Sequence, residues 1–369
     1  MVNKGRILSG MRATGKLHLG NFMGALYNWV NLQNTSGADG SAHYECFFFI
    51  ADWHALTTDY ADTSRVKANS IEVAMDWLAA GLDPERSTLF IQSHVPQHAE
   101  LHLLFSMITP LGWLERVPTY KEQIEQLKEK ELNTYGFLGY PLLQAADILL
   151  YASSGTAPLW VPVGEDQVPH IELTREVARR FNQFYKLPAQ TPDPEDAVVF
   201  PEPQPLLTPS PKVPGTDGRK MSKSYGNYLL MSDPEPVIRQ KLKTMVTDPA
   251  RVRRTDPGNP HVCPVYGLHK VFSPPEKIAE VEQGCTTAGI GCIQCKSWCA
   301  DNVVQLLNPI QERRRTYEKN PTLVWDILEA GSRRATIAAE RTMTDARAAM
   351  AMAKHYEAPS AKEASETHG

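Results

Sequence analysis

Nowhere in this 369-residue chain does an apolar run approach the 18 or so residues that a membrane-spanning helix requires, so no membrane partner is expected. The opening stretch, Met1 to Gly10, lacks the apolar core of a secretory signal, which makes the cytoplasm the expected compartment. Positive charge is not in excess. The net charge is −4, so bulk electrostatics give no reason to expect a DNA-binding protein. No segment repeats along the chain. Cysteine is almost missing from the first 262 residues, where Cys46 stands alone in an apolar run. The other five, Cys263, Cys285, Cys292, Cys295 and Cys299, fall within 37 residues. With no secretory signal, that clustering points to a metal site more than to disulfides.

What is present is ordinary for a globular protein: 42% hydrophobic and 22% charged residues, and enough length for two domains. Charge is uneven. Residues 233–350 carry 17 Lys and Arg against 14 Asp and Glu, so an acidic partner should prefer that part. Arg6 to Met11 reads as a strand, Asn21 to Gln33 as a helix, and Cys46 to Ala51 as a buried parallel strand. Helical patterns at Arg65–Ala80, Ala99–Thr109 and Val168–Phe184 alternate with strand patterns at Leu89–Ser93 and Trp160–Val163. This alternation predicts an α/β fold with a doubly wound parallel sheet. Lys121 to Leu132 reads as a charged, exposed helix. Nine prolines between Pro188 and Pro214 predict an extended connection without core strands. From Pro236 onward the pattern is helical, and the polar end, 356–369, reads as disordered.

Three stretches carry chemistry. Lys220-Met221-Ser222-Lys223-Ser224, flanked by Gly215, Gly218 and Gly226, is a loop suited to closing over a polyphosphate. Near the N-terminus, Gly10-x4-Gly15-Lys16 approaches a P-loop but is followed by Leu17, which cannot hold Mg²⁺ where Ser or Thr is required. What remains is His18-Leu19-Gly20-Asn21 opening a helix, with two hydrogen-bonding side chains and a glycine that lets a nucleotide approach. Third, the apolar helix expected over Pro141–Tyr151 places Tyr140, Gln144, Asp147 and Tyr151 on one side. A carboxylate among Leu143, Ala146, Ile148 and Leu149 is costly to bury unless it is paired. Four thiolates from the cysteine cluster suit either a [4Fe–4S] cluster or tetrahedral Zn²⁺, and spacing does not choose between them.

His18-Leu19-Gly20-Asn21 and Lys220 to Ser224 resemble the two signatures of class I aminoacyl-tRNA synthetases. Gly164-Glu165-Asp166-Gln167, Tyr140-Pro141-x3-Ala145-Ala146-Asp147 and Asn308-Pro309-Ile310-Gln311-Glu312-Arg313 resemble the tryptophan-specific branch of that family, in order along the chain. The resemblance implies a Rossmann-like catalytic domain over 1–232, a helical anticodon-binding domain over 233–355, and a homodimer formed near 95–150. It implies ATP, Mg²⁺, L-tryptophan and tRNA(Trp) as substrates and partners. His18, Asn21, Lys220 and Lys223 are then the expected catalytic residues. Arg12, Ala13, Thr14, Gly20 and Asn21 would line ATP, together with Gly164, Glu165, Asp166 and the loop Lys220, Met221, Ser222, Lys223 and Ser224. Tyr140, Gln144, Asp147, Gln167 and His54 would line tryptophan, Asp147 accepting the one N–H that indole offers.

The cysteine spacing resembles the iron–sulfur form of these enzymes, with Cys263, Cys285, Cys292 and Cys295 as ligands and Cys299 as the alternative. Arg251, Arg253, Arg254, Arg313, Arg314 and Arg315 are candidate RNA contacts. The competing readings are a tyrosine-specific relative, a catalytically silent RNA-binding relative, a P-loop NTPase and an iron–sulfur electron carrier. Asp147, the intact lysine pair with His18, Leu17 and the phosphate-binding elements argue against these in turn.

Overall fold

The computed structural model describes residues 5–352 except 38–39, 41, 127–131, 153–157, 188–197 and 208–210. Its centre is a sheet of five parallel strands in the order β3-β2-β1-β4-β5. These are β1 (Gly5–Arg12), β2 (Tyr44–Ala51), β3 (Ser87–Ile91), β4 (Leu159–Val163) and β5 (Gln204–Leu207). Successive residues of a strand point to opposite faces, and both faces are buried. Ile7, Phe48, Ile50 and Leu89 enter one core with Trp29 and Trp77. Leu8, Phe47, Phe49 and Phe90 enter the other with Tyr151 and Phe181. Trp29 stacks on Phe48 at 4.8 Å. This two-sided burial is why β2 reads as an unbroken apolar run.

β1 pairs with β2 along its whole length, from Gly5↔Tyr44 to Arg12↔Ala51. Its pairing with β4 stops at Ile7↔Trp160. Beyond that point β1 and β4 part, and Pro162 in β4 has no N–H with which to close the gap. The order of strands also reverses here, so a crevice opens at the carboxyl edge of the sheet, where such folds bind ligands.

β5 corrects an expectation. The proline-rich stretch was expected to contain no core strand, yet Gln204–Leu207 pairs with β4 through Trp160↔Gln204 to Val163↔Leu207. Pro205 is tolerated because β5 is an edge strand and needs bonds on one side only. The helix expected over 121–132 runs Pro118–Gln126, and the residues after it, 127–131, lie outside the described residues. So does the expected disordered tail.

The C-terminal helices Glu235–Thr244, Pro264–Phe272, Pro275–Thr286, Cys292–Glu318 and Pro321–Ala349 follow the sheet. One apolar core passes across residue 232 without a break, joining Trp77 and Leu78 to Val303, Leu307 and Ile310. The last helix lies directly on β3. A Cβ at Gly331 would stand 1.7 Å from the Leu89 carbonyl oxygen, so only glycine permits the approach. Among the described residues no helix is long and apolar enough to cross a membrane.

Candidate active site

The crevice between β1 and β4 is a cavity of about 380 Å³. β1 supplies Ser9, Gly10 and Arg12 to its walls, and the β4 end supplies Val163, Gly164 and Gln167. The helix Tyr140–Leu149 contributes Tyr140, Gln144 and Asp147, while His54 and Thr57 come from the helix Asp52–Asp59. All five residues expected around the amino acid therefore meet in one cavity.

Asp147 is 1% exposed and fully partnered on the protein side. Its Oδ1 accepts from His98 Nδ1 at 2.6 Å and Gln92 Nε2 at 2.8 Å. Its Oδ2 accepts from His54 Nε2 at 2.8 Å, with Gln92 Nε2 also at 3.0 Å. Burial alone would raise its pKa, but the bonds from His54 and His98 hold it down at about 2. The group is thus an ionised, acceptor-only carboxylate in the cavity wall. A carboxylate has about four acceptor positions, and these contacts fill them, so a ligand donor would take the place of the one from His54, the only donor of the three that lines the cavity. Gln92 and His98 carry this arrangement and were missed from the sequence. Both are fully buried and stand just beyond β3, whose carboxyl edge was the available signal.

Tyr140 closes another side. Its hydroxyl lies 2.7 Å from Thr119 Oγ1, which in turn lies 2.7 Å from His170 Nε2. Burial lowers the His170 pKa to about 4. Arg12 is held by the Ala55 carbonyl and by Thr58, and it forms an ion pair with Asp59 at 3.5 Å. Its Nε is buried without a protein partner.

His18 and Asn21 lie outside these walls, at the start of a helical run over residues 19–34 that contains one π-helical stretch, Phe22–Leu26. They cap each other: Asn21 N–H donates to His18 Nδ1 and His18 N–H donates to Asn21 Oδ1, both at 3.2 Å. Burial, then the charges of Lys223 and Lys220, lower the His18 pKa to about 4. The neutral ring accepts at Nδ1, so its proton sits on Nε2, free to donate outward. Gly20 has a local reason. A Cβ there would stand 2.9 Å from the His18 ring.

The lysine loop reaches this place from the other side of the chain. Lys223 Nζ donates to the Thr14 carbonyl at 2.6 Å. Met221 is 3% exposed and sits in the apolar core, so its side chain anchors the loop and leaves only its backbone for a nucleotide. Asn227, also missed, braces the turn. It accepts from Ser222 N–H at 2.8 Å and donates to Asp217 at 2.7 Å and to the Lys220 carbonyl at 3.2 Å. A Cβ on Gly215 would stand 2.3 Å from the Asn227 side chain. Ser224, Glu165 and Asp166 are exposed, and Ala13 is buried.

In the cysteine cluster, burial pushes the Cys295 thiol up to about 12, and the proximity of Cys263, Cys285 and Cys292 adds to the rise. Cys299 is fully buried in the apolar core. Among the described residues no three Cys, His, Asp or Glu side chains close around a single ion. The sulfurs share one neighbourhood without converging. Gly258 packs directly against Cys285, and a Cβ there would stand 2.7 Å from the sulfur.

Two of the arginines expected on the RNA-facing surface are not there. Arg251 is 8% exposed and donates to the Ile290 carbonyl at 2.6 Å. Arg314 is 2% exposed and paired with Asp76, Glu72 and Glu318. Both answer to buried acceptors far away in sequence. Arg253, Arg254, Arg313 and Arg315 are exposed.

A family profile described as tRNA synthetases class I (W and Y) matches residues 3–308. The chain is 51% identical to the tryptophan–tRNA ligase of Thermotoga maritima, covering 94% of this chain and 98% of that one. It is 47% identical to the tryptophan–tRNA ligase of Ralstonia nicotianae, with the same coverage of 94% and 98%. Among solved structures, tryptophanyl-tRNA synthetase from Campylobacter jejuni complexed with ADP and tryptophan is similar at a TM-score of 0.78 and 29% identity, covering 94% of this chain and 99% of that one.

Proposed function

The chain belongs to the class I tRNA synthetases of the tryptophan and tyrosine group, and we propose that its β1–β4 cavity holds tryptophan with the indole N–H directed at Asp147. Its activity is that of a tryptophan–tRNA ligase. The amino-acid carboxylate attacks the α-phosphate of ATP, forming tryptophanyl-adenylate and releasing pyrophosphate. A ribose hydroxyl at the end of tRNA(Trp) then attacks the carbonyl carbon and releases AMP. The substrate itself is the nucleophile, so the protein's work is to place it and to stabilise the departing charge.

The observation that carries this reading is the ionised, acceptor-only Asp147 in the cavity wall, where His54 shows that its Oδ2 takes a donor from the cavity side. Indole brings one donor and no acceptor. Phenylalanine brings none, and the phenol of tyrosine places its hydroxyl elsewhere. A site that hydrogen-bonds its substrate in this way rejects an analogue lacking the group by roughly 10⁴–10⁵. Tyr140, Gln144 and Gln167 take the amino and carboxylate end. Arg12 and Gly164 lead from the cavity toward the nucleotide, with the Ala13–Thr14 backbone, Glu165 and Asp166 beside it. His18 donates through Nε2 to phosphate, Asn21 holds its ring, and Lys220 and Lys223 draw off charge as pyrophosphate leaves. Mg²⁺ is held mainly by the phosphates.

Cys263, Cys285, Cys292 and Cys295 would hold a [4Fe–4S] cluster, the choice over zinc resting on the resemblance of their spacing alone. Their shared neighbourhood supports this. Its role would be to tie the end of the helix Pro275–Thr286 to the helix Cys292–Glu318. A homodimer is supported by exposed Leu103, Met107, Leu111 and Tyr135 within the expected region. Residues 233–355 would meet the anticodon, through the exposed Arg253, Arg254, Arg313 and Arg315, in the cytoplasm.

Pyrophosphate exchange into ATP, driven by tryptophan, tyrosine or phenylalanine, tests the reading without tRNA. Exchange with tryptophan alone is expected. Exchange with tyrosine in its place would overturn the assignment of Asp147.

A further inference from the structure

A buried ion pair joins the C-terminal helices to the loop that carries His18. Asp76, in the helix Val66–Ala80, has no exposed surface. Its Oδ2 accepts the backbone N–H of Leu17 at 2.7 Å, one residue before His18. Its Oδ1 accepts from Arg314 Nη1. Arg314 belongs to the helix Cys292–Glu318, and its remaining donors go to Glu72 and, at 2.8 Å, to Glu318.

The same helix holds the far side of the loop. The Leu17 carbonyl accepts from Met231 N–H at 2.9 Å, and Leu19 N–H donates to the Leu229 carbonyl at 2.9 Å. Gln311, three residues before Arg314, donates to the carbonyls of Met231 and Asp233 at 2.8 and 2.9 Å. The segment carrying His18 is therefore gripped twice by one helix, at the Leu17 N–H through Asp76 and at Met231 through Gln311. Asp76 does not line the tryptophan cavity.

A buried charge cluster is a poor way to gain stability, since apolar side chains of equal volume often do as well or better. What it adds is register. The two carboxylate oxygens fix the spacing between a backbone N–H and a guanidinium that lie far apart in sequence. We infer that Asp76 is a positioning residue for His18, and that Arg314 transmits to it the placement of the C-terminal helix. The inference rests on the adenylate-forming reading above and adds that the C-terminal region sets the nucleotide side of the site.

The test is pyrophosphate exchange by the full chain, with ATP and tryptophan varied separately, in Asp76→Asn and Arg314→Lys. Asp76→Asn keeps the shape but removes the charge, and Arg314→Lys keeps the charge but removes the fork. A misplaced loop should lower kcat and raise the ATP KM, together by about tenfold to a hundredfold, while the tryptophan KM stays within about twofold. The double variant should be little worse than the poorer single one. Loss of thermal stability with kcat and ATP KM unchanged would reduce Asp76 to a packing element and overturn the inference. So would an equal rise in the tryptophan KM. Where Asp76→Asn does not fold, Glu72→Gln on the half-buried rim of the network should shift the ATP KM the same way, and an unchanged ATP KM there also overturns it. Absence of tryptophan-dependent exchange by the unaltered protein is a separate result, and it overturns the underlying reading.

Discussion

His98 Nδ1 lies 2.6 Å from Asp147 Oδ1, and both side chains are closed off from solvent. A carboxylate can only accept, so Nδ1 carries the proton. The other ring nitrogen faces the Tyr151 hydroxyl at 2.9 Å. The orientation of Asp147 is thus fixed from behind by a histidine outside the cavity, while His54 approaches it from the cavity side.

Replacing His98 by Leu should therefore act on tryptophan and not on ATP. Loss of one donor to a buried charged group costs roughly 1.5–3 kcal/mol, or about a tenfold to hundredfold rise in tryptophan KM. The ATP KM should stay at the unaltered value. Asp147→Asn should go further and erase the preference for tryptophan over phenylalanine, because an amide presents only one acceptor oxygen. Steady-state exchange with each amino acid distinguishes the two variants. An Asp147→Asn protein that kept full discrimination would refute the assignment.

Acid should destabilise the fold through His18 and His170. Each has a folded pKa lowered by burial to about 4, against an ordinary value of 6.5. Between those values the unfolded chain binds more protons than the folded one, so stability rises with pH. Their contribution is complete above about pH 6.5 and is lost as pH falls toward about 4. Each amounts to about 3 kcal/mol at most. Urea denaturation at pH 5 and pH 7 should show a lower midpoint at pH 5, and His170→Gln should flatten the difference. An unchanged slope in that variant would remove His170 from the account.

Gly331→Ala, at the one glycine of the helix Pro321–Ala349, should weaken the fold. The added Cβ would meet the Leu89 carbonyl oxygen at 1.7 Å, and a backbone atom cannot step aside as a side chain can. Helix propensity alone would favour the change by roughly 0.5–1 kcal/mol. A net loss of about 1–3 kcal/mol in denaturant midpoint analysis is expected, of the size seen for overpacking in a rigid core. A neutral or stabilising result would mean that the helix Pro321–Ala349 does not rest on β3 as described.

Local pattern carried much of this fold, and long-range partners explain what it did not carry. The helix Val168–Phe184 was legible because its apolar stripe and Pro169 mark both its face and its start. β5 was hidden because proline content argues against strands in general but not against an edge strand. Asp147 and Asp76 give the same local signal, an acid inside an apolar helical stretch. Asp147 stood out beside Tyr140 and Gln144, whereas the partner of Asp76 lies 238 residues away. Arg251 and Arg314 misled for the same reason, since an arginine run looks solvated until its buried acceptors are known. One wall of the cavity, with Tyr140, Gln144 and Asp147, was readable from one helix face. The residues that hold it, Gln92 and His98, come from another strand's end and carry no motif.

Asn227 offers the cleanest test of the lysine loop, because it touches only the loop's backbone and Asp217. Its side chain is 2% exposed and joins Ser222 N–H, the Lys220 carbonyl and Asp217 in one brace. Asn227→Ala removes the acceptor for Ser222 N–H and the donor for Lys220, leaving both backbone groups to find water. An unpaired buried group costs about 1–3 kcal/mol, and here the loss falls on the stretch that presents Lys220 and Lys223. The loop should then spend less time in its working place. Exchange kcat should fall by about tenfold or more while the tryptophan KM holds, since the amino-acid cavity draws nothing from residues 213–227. Hydrogen exchange should quicken at Ser222 and Met221 and stay unchanged in β1 and β2. If kcat survived with the loop amides deprotected, the lysines would not need a fixed loop, and their role in drawing off pyrophosphate charge would have to be placed after loop closure on ATP.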